Sequence, residues 1–232
     1  MEFSTSAEDQ PGLKGETRID EPTRAERALA RRFAETRATV PDLELGVDVD
    51  AAAALEIARR PGCSLTAVLV AACAAGLREH PRANAAYRDG RYELYSRVNV
   101  AITVATADGY LAPTVLDADR KPVEQLSAEI ETAGARARAG ELRPPELAGA
   151  TFTLWDMSAQ PIARASGLVT PPQAAALAAG AVRPVPVLRD GAVEPGQEIA
   201  LTLACDARIL FGERAASFLA SVAEHLRAPS QP

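Results

Sequence analysis

Few side chains in this sequence could act as an acid, a base, a nucleophile or a metal ligand at neutral pH. The 232-residue chain has two histidines, His80 and His225, and three cysteines, Cys63, Cys73 and Cys205. The cysteines are odd in number and far apart, and they form neither a CxxC pair nor a disulfide framework. Two separate histidines are too few for a zinc or iron cluster. The sequence therefore predicts no metal site, and it offers no evident Ser-His-Asp arrangement.

The charge of the chain argues against nucleic acid as a partner. The formal net charge is −6, and 24% of the residues are charged. Phosphate binding needs a dense basic face, which this balance does not provide. The one locally basic stretch, Thr23–Arg32, has helical apolar spacing and contains an acid. A solvated helix face is therefore the favoured interpretation, and a phosphate or nucleotide contact is the less favoured one.

The two ends of the chain and its longest apolar run bear on domain organisation and location. Residues 1–21 are polar, lack periodicity and have no apolar signal-peptide core, so we expect them to be disordered. The longest apolar run, Leu65–Leu77, is too short to span a bilayer. We therefore expect a cytoplasmic protein with no membrane association, in which residues 22–228 form one domain and 229–232 form a tail.

The predicted elements mix helices with strands that are far apart in the sequence. A capping box at Thr23 and Glu26 predicts the start of the first helix. Alternation at Leu43–Val49 predicts a strand, and Asp50 is expected to cap the helix that follows it. This mixture predicts an α+β fold, a mixed α/β sandwich. The other predicted helices are 51–60, 65–79, 123–139 and 215–226, and the other predicted strands are 85–88, 91–95, 99–104, 111–115, 151–154, 173–182 and 198–204.

Six collinear segments resemble the catalytic domain of the dihydrolipoamide acyltransferases of 2-oxo acid dehydrogenase complexes. Together they span about residues 22–228, and their order and separation match those of the family. The resemblance implies the fold of chloramphenicol acetyltransferase. The segments are Thr23–Phe33 with Ala38–Pro41, Val100–Pro113, Asp117–Lys121, Thr151–Thr153, Pro171–Ala175 and Leu201–Arg208.

The resemblance also implies a mechanism whose three functional positions differ in this chain. In the family a histidine deprotonates the acceptor, a hydroxyl stabilises the oxyanion, and an Asp or Asn helps to organise the site. Those positions hold Ala207, Trp155 and Phe211. A single exchange at 207 could have been engineered, but three changed positions favour natural divergence. Neither His80 nor His225 can be moved into the role by sequence, so no catalytic residue is assigned.

The resemblance gives the remaining residues of this region supporting or channel positions. Asp206 and Arg208 flank the lost histidine and are expected to hold its loop. Trp155 and Phe211 are expected at the old active-site channel. Two interpretations of these aromatic residues stay open: a cleft rebuilt for an apolar or aromatic small molecule, or rings that plug a site no longer used.

Several functions follow from this family resemblance. The first is acyl transfer from coenzyme A or another acyl-thioester to a small acceptor, with an altered mechanism. The second is a non-catalytic trimeric scaffold or a small-molecule-binding pseudoenzyme, and a natural-product enzyme with non-acyl-transfer chemistry is also open. The family places its active site between subunits of a trimer. We therefore expect a homotrimer with a small molecule in the channel between subunits, and no covalently bound cofactor.

Overall fold

The computed structural model describes residue 15 and residues 18–107, 109–189 and 191–229, with only the backbone at Arg189. Most of the segment predicted to be disordered, residues 1–21, lies outside these residues. So does most of the predicted tail at 229–232. Within the described part of the chain, no helix is long and apolar enough to cross a membrane.

Five α-helices form in the described residues. The first begins after Thr23, whose hydroxyl accepts a hydrogen bond from the Glu26 backbone N–H. The Glu26 carboxylate accepts one from the Thr23 N–H, which completes the predicted capping box. At the start of the third helix the Ser64 hydroxyl accepts a hydrogen bond from the Ala67 backbone N–H, without a reciprocal bond. The bounds are α1 Arg24–Thr39, α2 Ala52–Ala58, α3 Leu65–Glu79, α4 Val123–Arg138 and α5 Gly212–Arg227, with 3₁₀ turns at Ala118–Arg120 and Pro144–Leu147.

The strands form one seven-stranded sheet and two separate hairpins. The sheet has the order β1-β11-β9-β8-β4-β7, with β10 paired to the first half of β11. β4, β8 and β9 run parallel and the other pairs are antiparallel. The strands predicted near 43–49, 100–104, 151–154 and 199–204 all contribute to this one sheet. The bounds are β1 Asp42–Asp50, β2 Ala85–Arg88, β3 Arg91–Leu94, β4 Val100–Ile102, β5 Val104–Thr106, β6 Gly109–Leu111, β7 Thr114–Val115, β8 Phe152–Asp156, β9 Ala175–Ala179, β10 Arg183–Arg189 and β11 Ala192–Asp206.

One face of the sheet packs against the helices and forms the main core. Alternate strand residues such as Leu154, Leu177 and Leu203 belong to one buried cluster with residues of α3 and α5. Within that cluster Phe152 and Phe218 meet edge to face, with ring centroids 5.9 Å apart. Helices on one side of a mixed sheet confirm the predicted mixed α/β sandwich.

The opposite face of the sheet is covered by residues 157–171, which we call the strap. The strap lies so close to the sheet that a Cβ on Gly180, just after β9, would lie 2.1 Å from the Ala163 carbonyl oxygen. At a second point, Arg164 pairs with Asp48 of β1 at 2.5 Å. Val169 is buried against Ala204 of β11 and against the residue that follows α1. The strap therefore limits which other groups can contact this face of the sheet.

The hairpin of β10 and the first half of β11 extends beyond the rest of the sheet as a two-stranded ribbon. Pro186 lies opposite Pro195 in this ribbon. Because neither proline has an N–H to donate, this is a non-hydrogen-bonded pair, and the backbone of both residues faces outward. At its far end Leu188 and Val193 lie opposite each other, and more than 70% of each side chain is exposed.

Three sequence predictions differ from the observed elements. A strand at 111–115 is wrong: the chain leaves the sheet after Ile102 and forms the β5–β6 hairpin before β7 returns to pair with β4. The strand predicted at 173–182 is confined to five residues, and β10 was not predicted. Asp50 was expected to cap α2, but its carboxylate accepts from the Ala52 N–H and the N-cap residue is Ala51.

Candidate functional site

Trp155 lies in β8 on the face of the sheet that the strap covers. Its indole ring packs on Gly167 of the strap, where a Cβ would lie 2.3 Å from the indole Cδ1. Its Nε1 is buried and has no hydrogen-bond partner among the described residues. Trp155 therefore fills space within its own subunit, and only glycine fits beneath its ring.

A line of three aromatic rings, which we call the aromatic row, runs from β8 to α1 and consists of Trp155, Tyr110 and Phe33. The ring of Tyr110 lies 4.8 Å from that of Trp155 and 5.9 Å from that of Phe33. Burial raises the pKa of the Tyr110 hydroxyl, and the positive charge of Arg32 opposes part of that rise. The row therefore carries no group that is ready to accept a proton at neutral pH.

The turn after β11 holds the other predicted site residues, and an ion pair stabilises it. The Asp206 side chain is buried. Its Oδ1 accepts from the Arg208 Nε at 2.9 Å, and its Oδ2 accepts from the Arg208 Nη2 at 2.6 Å. The same carboxylate accepts from the Arg208 backbone N–H at 3.0 Å. Such a two-point pair has a defined geometry, so the turn is rigid at Asp206 and Arg208.

The β2–β3 hairpin supports this turn from outside. The Tyr92 hydroxyl donates to the Arg208 carbonyl oxygen at 3.1 Å, and the Arg208 guanidinium lies 5.2 Å from the Tyr87 ring centroid. The guanidinium of Arg82 lies over the Tyr92 ring at 3.3 Å. These contacts agree with a loop-supporting role for Asp206 and Arg208, which stays a prediction.

Ala207 and Phe211 occupy the two ends of the turn. The Ala207 backbone N–H donates to the Pro41 carbonyl oxygen at 2.8 Å, and its methyl group has no proton to exchange. Phe211 is 56% exposed and is the N-cap residue of α5, where its ring makes no capping hydrogen bond. In the positions that the resemblance gave to a base and a polar organiser, the structure thus has a methyl group and an exposed ring.

No other described residue supplies a base or a reactive thiol to this turn. His225 hydrogen-bonds to Glu79 at 3.0 Å, and His80 packs edge-on against Phe218, so both histidines contact the helical layer. Burial raises the pKa of the Cys73 and Cys205 thiols to about 12, which leaves them protonated at neutral pH. Among the described residues, no group of three or more metal-ligating side chains could hold a metal ion.

The structure does not bring Trp155 together with Ala207 within one chain. Trp155 aligns across β9 with Thr202 of β11, which lies four residues before Asp206. At about 3.3 Å per residue along a strand and about 4.8 Å between strands, Trp155 and Asp206 lie on the order of 15 Å apart. Within one chain the two regions therefore do not form a single contact site.

A cavity of about 530 Å³ lies beside the aromatic row. Its floor is formed by Thr153 of β8, whose hydroxyl donates to the Gln173 side-chain oxygen at 2.7 Å. Its walls come from α1, the β5–β6 hairpin and the end of α4. Apart from the floor, the lining includes Leu29, Arg32, Tyr110, Leu111, Arg138 and Leu147.

Sequence reasoning missed this cavity and its two arginines. The basic stretch Thr23–Arg32 was expected to be a solvated helix face, and α1 is indeed mostly exposed. However, Arg32 borders the cavity together with Arg138 at the end of α4. No local pattern could have paired them, because they lie in helices separated by several strands.

Phe211 gives a direct test of how the turn meets α5. Its extended backbone suits a capping side chain. Phe211→Asn should therefore stabilise the protein by about 0.5–2 kcal/mol relative to Phe211→Ala, because only asparagine accepts a hydrogen bond from the first turn of α5. Urea unfolding of both variants measures the difference. Equal stability of the two variants would show that this N-terminus is not open to capping.

Known proteins are similar to this chain in both sequence and fold. The sequence profile of 2-oxoacid dehydrogenases acyltransferase (catalytic domain) matches residues 14–232. The chain belongs to this family. Component 4 of the chloroplastic dihydrolipoyllysine-residue acetyltransferase of the pyruvate dehydrogenase complex from Arabidopsis thaliana is 31% identical over 224 residues, which are 94% of this chain. The corresponding Zymomonas mobilis component is 30% identical over 209 residues, or 86% of this chain.

Solved structures of the family have the same fold. The dihydrolipoamide acetyltransferase of Azotobacter vinelandii matches with a TM-score of 0.87 and 26% identity over 94% of each chain. The cubic core of a pyruvate dehydrogenase multienzyme complex matches with a TM-score of 0.86 and 26% identity, over 92% of this chain and 93% of the other. Chloramphenicol acetyltransferase, at 16% identity and a TM-score of 0.57, shares the fold over 84% of this chain and 94% of the other.

The chain matches only part of the length of each of the curated relatives. The chain spans about half the length of these relatives, 47% of the Zymomonas mobilis protein and 46% of the Arabidopsis thaliana one. The family and the fold of the domain are therefore shown, and both agree with the resemblance read from the six sequence segments.

Proposed function

We propose that this domain keeps the scaffold of an acyltransferase core but does not transfer acyl groups through a histidine base. The observation that carries the proposal is Ala207 itself. It lies in a turn that the Asp206–Arg208 pair holds in place, where its side chain can neither accept nor donate a proton. The scaffold of the site is thus retained without the group that would do its chemistry.

The spacing of the three changed positions supports this assignment. The work on the Azotobacter vinelandii enzyme investigated a serine, a histidine and an asparagine in its catalytic mechanism, separated by 52 and by four residues. Trp155, Ala207 and Phe211 are separated by the same two intervals. The matching intervals support the assignment of all three groups to positions that hold apolar or aromatic residues in this chain, and a single altered codon would not account for three changes.

The test is acetyl transfer from acetyl-CoA to dihydrolipoamide. The unchanged protein should show no transfer above the uncatalysed rate, because it lacks both the general base, worth about 10²–10⁴-fold of rate, and the oxyanion donor, worth about another 10²–10³-fold. A family member that has the histidine, assayed at the same concentration, is the positive control. Clear turnover by the unchanged protein would overturn the proposal, since it requires a base that Ala207 cannot supply.

We also propose that the domain is a homotrimer. The separation of Trp155 from Ala207 within one chain supports an assembly in which neighbouring subunits complete the site, as the resemblance implies. We expect sedimentation equilibrium at micromolar concentration to give three times the monomer mass of 24.4 kDa. A stable monomer at that concentration would contradict the trimer and would leave the domain without a channel shared between subunits.

A second candidate function is small-molecule binding without acyl transfer, and the cavity beside the aromatic row favours it. A volume of about 530 Å³ lies within the range of pockets that hold small ligands. Coenzyme A or another acyl-thioester is the ligand that the family suggests. Binding of coenzyme A in the absence of transfer would support this candidate over a purely structural scaffold.

A further inference from the structure

The cavity beside the aromatic row has an unbalanced charge. Arg32 and Arg138 line it, and no aspartate or glutamate is among its described lining residues. Both arginines are exposed at the rim of the cavity, and neither forms an ion pair with another described residue, although the chain as a whole carries a net charge of −6. Two unpaired guanidinium groups at one cavity, in an acidic protein, indicate a site for an anion.

The rest of the lining is apolar or neutral. Leu29 of α1, Leu111 of β6 and Leu147 provide aliphatic surface. The polar groups of the floor, Thr153 and Gln173, already bond to each other. A ligand that fits this lining has an aliphatic body and one anionic end, and it does not need further hydrogen bonds along its length.

We propose that this cavity binds an aliphatic carboxylic acid of medium chain length, with its carboxylate at Arg32 and Arg138 and its chain among the leucines. The inference rests on the small-molecule-binding candidate above and names its ligand class. A planar guanidinium matches a carboxylate at two points, which a neutral ligand end cannot reproduce.

The carboxyl end of α4 opposes the binding of an anion, but its effect is smaller than that of the two arginines. The carboxyl end of α4 borders the cavity at Ala139 and Gly140. A helix carboxyl end is equivalent to roughly half a negative charge, whereas the two arginines carry two full positive charges. Arg138 is also the last residue of α4, so its charge directly offsets that helix end. Among the described groups that line the cavity, the positive charge therefore exceeds the negative charge.

The chain contains its own reporter for this site. Trp155 is the single tryptophan of the sequence. Its ring contacts that of Tyr110, which lines the cavity, at 4.8 Å between centroids. A ligand that displaces water next to Tyr110 should therefore change the fluorescence of Trp155 without any label.

The experiment is a fluorescence titration of the full chain with octanoate and with octanamide, its neutral analogue of the same length. Octanoate should give a saturable change, and octanamide should bind at least about tenfold more weakly because it lacks the charge. Arg32→Gln and Arg138→Gln should each weaken octanoate binding by roughly tenfold. Arg31→Gln is the matched control, because Arg31 lies on the same helix but does not line the cavity, and its binding should be unchanged.

Several outcomes would overturn this inference. They are the absence of a saturable change with octanoate, equal binding of octanamide, or unchanged binding in both cavity arginine variants. Displacement of bound octanoate by coenzyme A would also overturn it, because the cavity would then belong to the acyl donor. The acetyl-transfer assay stays separate: turnover there would overturn the loss of the histidine mechanism without altering the titration result.

Discussion

The Ala207→His variant should acetylate dihydrolipoamide no faster than the unchanged protein. A histidine at 207 would supply a base, but Trp155 cannot donate a hydrogen bond from a hydroxyl to the oxyanion. Loss of one oxyanion donor typically costs about 10²–10³-fold in rate. Phe211 cannot hydrogen-bond to the turn, and it is exposed where a polar organiser is expected. One restored group out of three is therefore not sufficient.

Only the combined variant, Ala207→His with Trp155→Ser and Phe211→Asp, restores all three groups, so any gain in turnover should be confined to it. Its matched control replaces Ala207 by glutamine with the same two other changes. The histidine form should exceed the glutamine form by about 10²–10⁴-fold if the base acts as expected. Equal turnover of the two forms, or turnover by Ala207→His alone, would show that the reaction follows another route.

The combined variant also needs a check on its fold. Trp155→Ser removes a large ring that packs on Gly167 and on Tyr110, and such a truncation typically costs about 3–5 kcal/mol. Circular dichroism and sedimentation at the assay concentration establish whether the assembled fold survives. The glutamine control should be inactive even when it is folded, because it lacks a base. If the histidine form is folded but also inactive, the altered packing around position 155 is what prevents the reaction.

The second large effect is expected in the core. Phe218→Ala should destabilise the domain by about 3–5 kcal/mol. The ring is fully buried and contacts Phe152 and His80, so its removal would leave a cavity between α3 and α5. Phe211→Ala is the internal control, since the same substitution at the exposed start of the same helix should change stability by no more than about 0.5 kcal/mol. Urea unfolding of both variants measures the contrast. Similar losses at the two positions would mean that Phe211 is buried by another subunit.

The main sheet could be predicted from sequence where the local pattern and the tertiary fold agree. Alternation at Leu43–Val49 and the buried run near Val100 both predict strands, and the structure places both in the main sheet. The ribbon was missed because Pro184 and Pro186 argue against a strand, and only its position outside the main sheet makes them acceptable. The break after Ile102 was missed because apolar residues continue on both sides of it.

The candidate site could be predicted only as a set of positions. Trp155, Ala207 and Phe211 were assigned by resemblance, and whether they share one site between subunits stays a prediction. The packing of Trp155 against Gly167 depends on the path of the strap, which no period in the sequence reveals. The positive charge of the cavity comes from Arg32 and Arg138, which only the tertiary fold brings to one opening. It could not be predicted from a composition with a net charge of −6.

The ribbon has a consequence for how this protein behaves at high concentration. A free strand edge normally offers N–H and C=O groups to which another chain can add a strand, and long edges of this kind promote aggregation. Along the outer edge of β10, Pro184 and Pro186 lack the N–H groups that such an addition requires, and Pro195 removes one from the other side. The exposed aliphatic pair Leu188 and Val193 at the ribbon end therefore offers another strand only a short stretch of edge that still has its N–H groups. The prolines thus keep an extended, apolar-tipped hairpin from seeding a fibre-like stack of sheets.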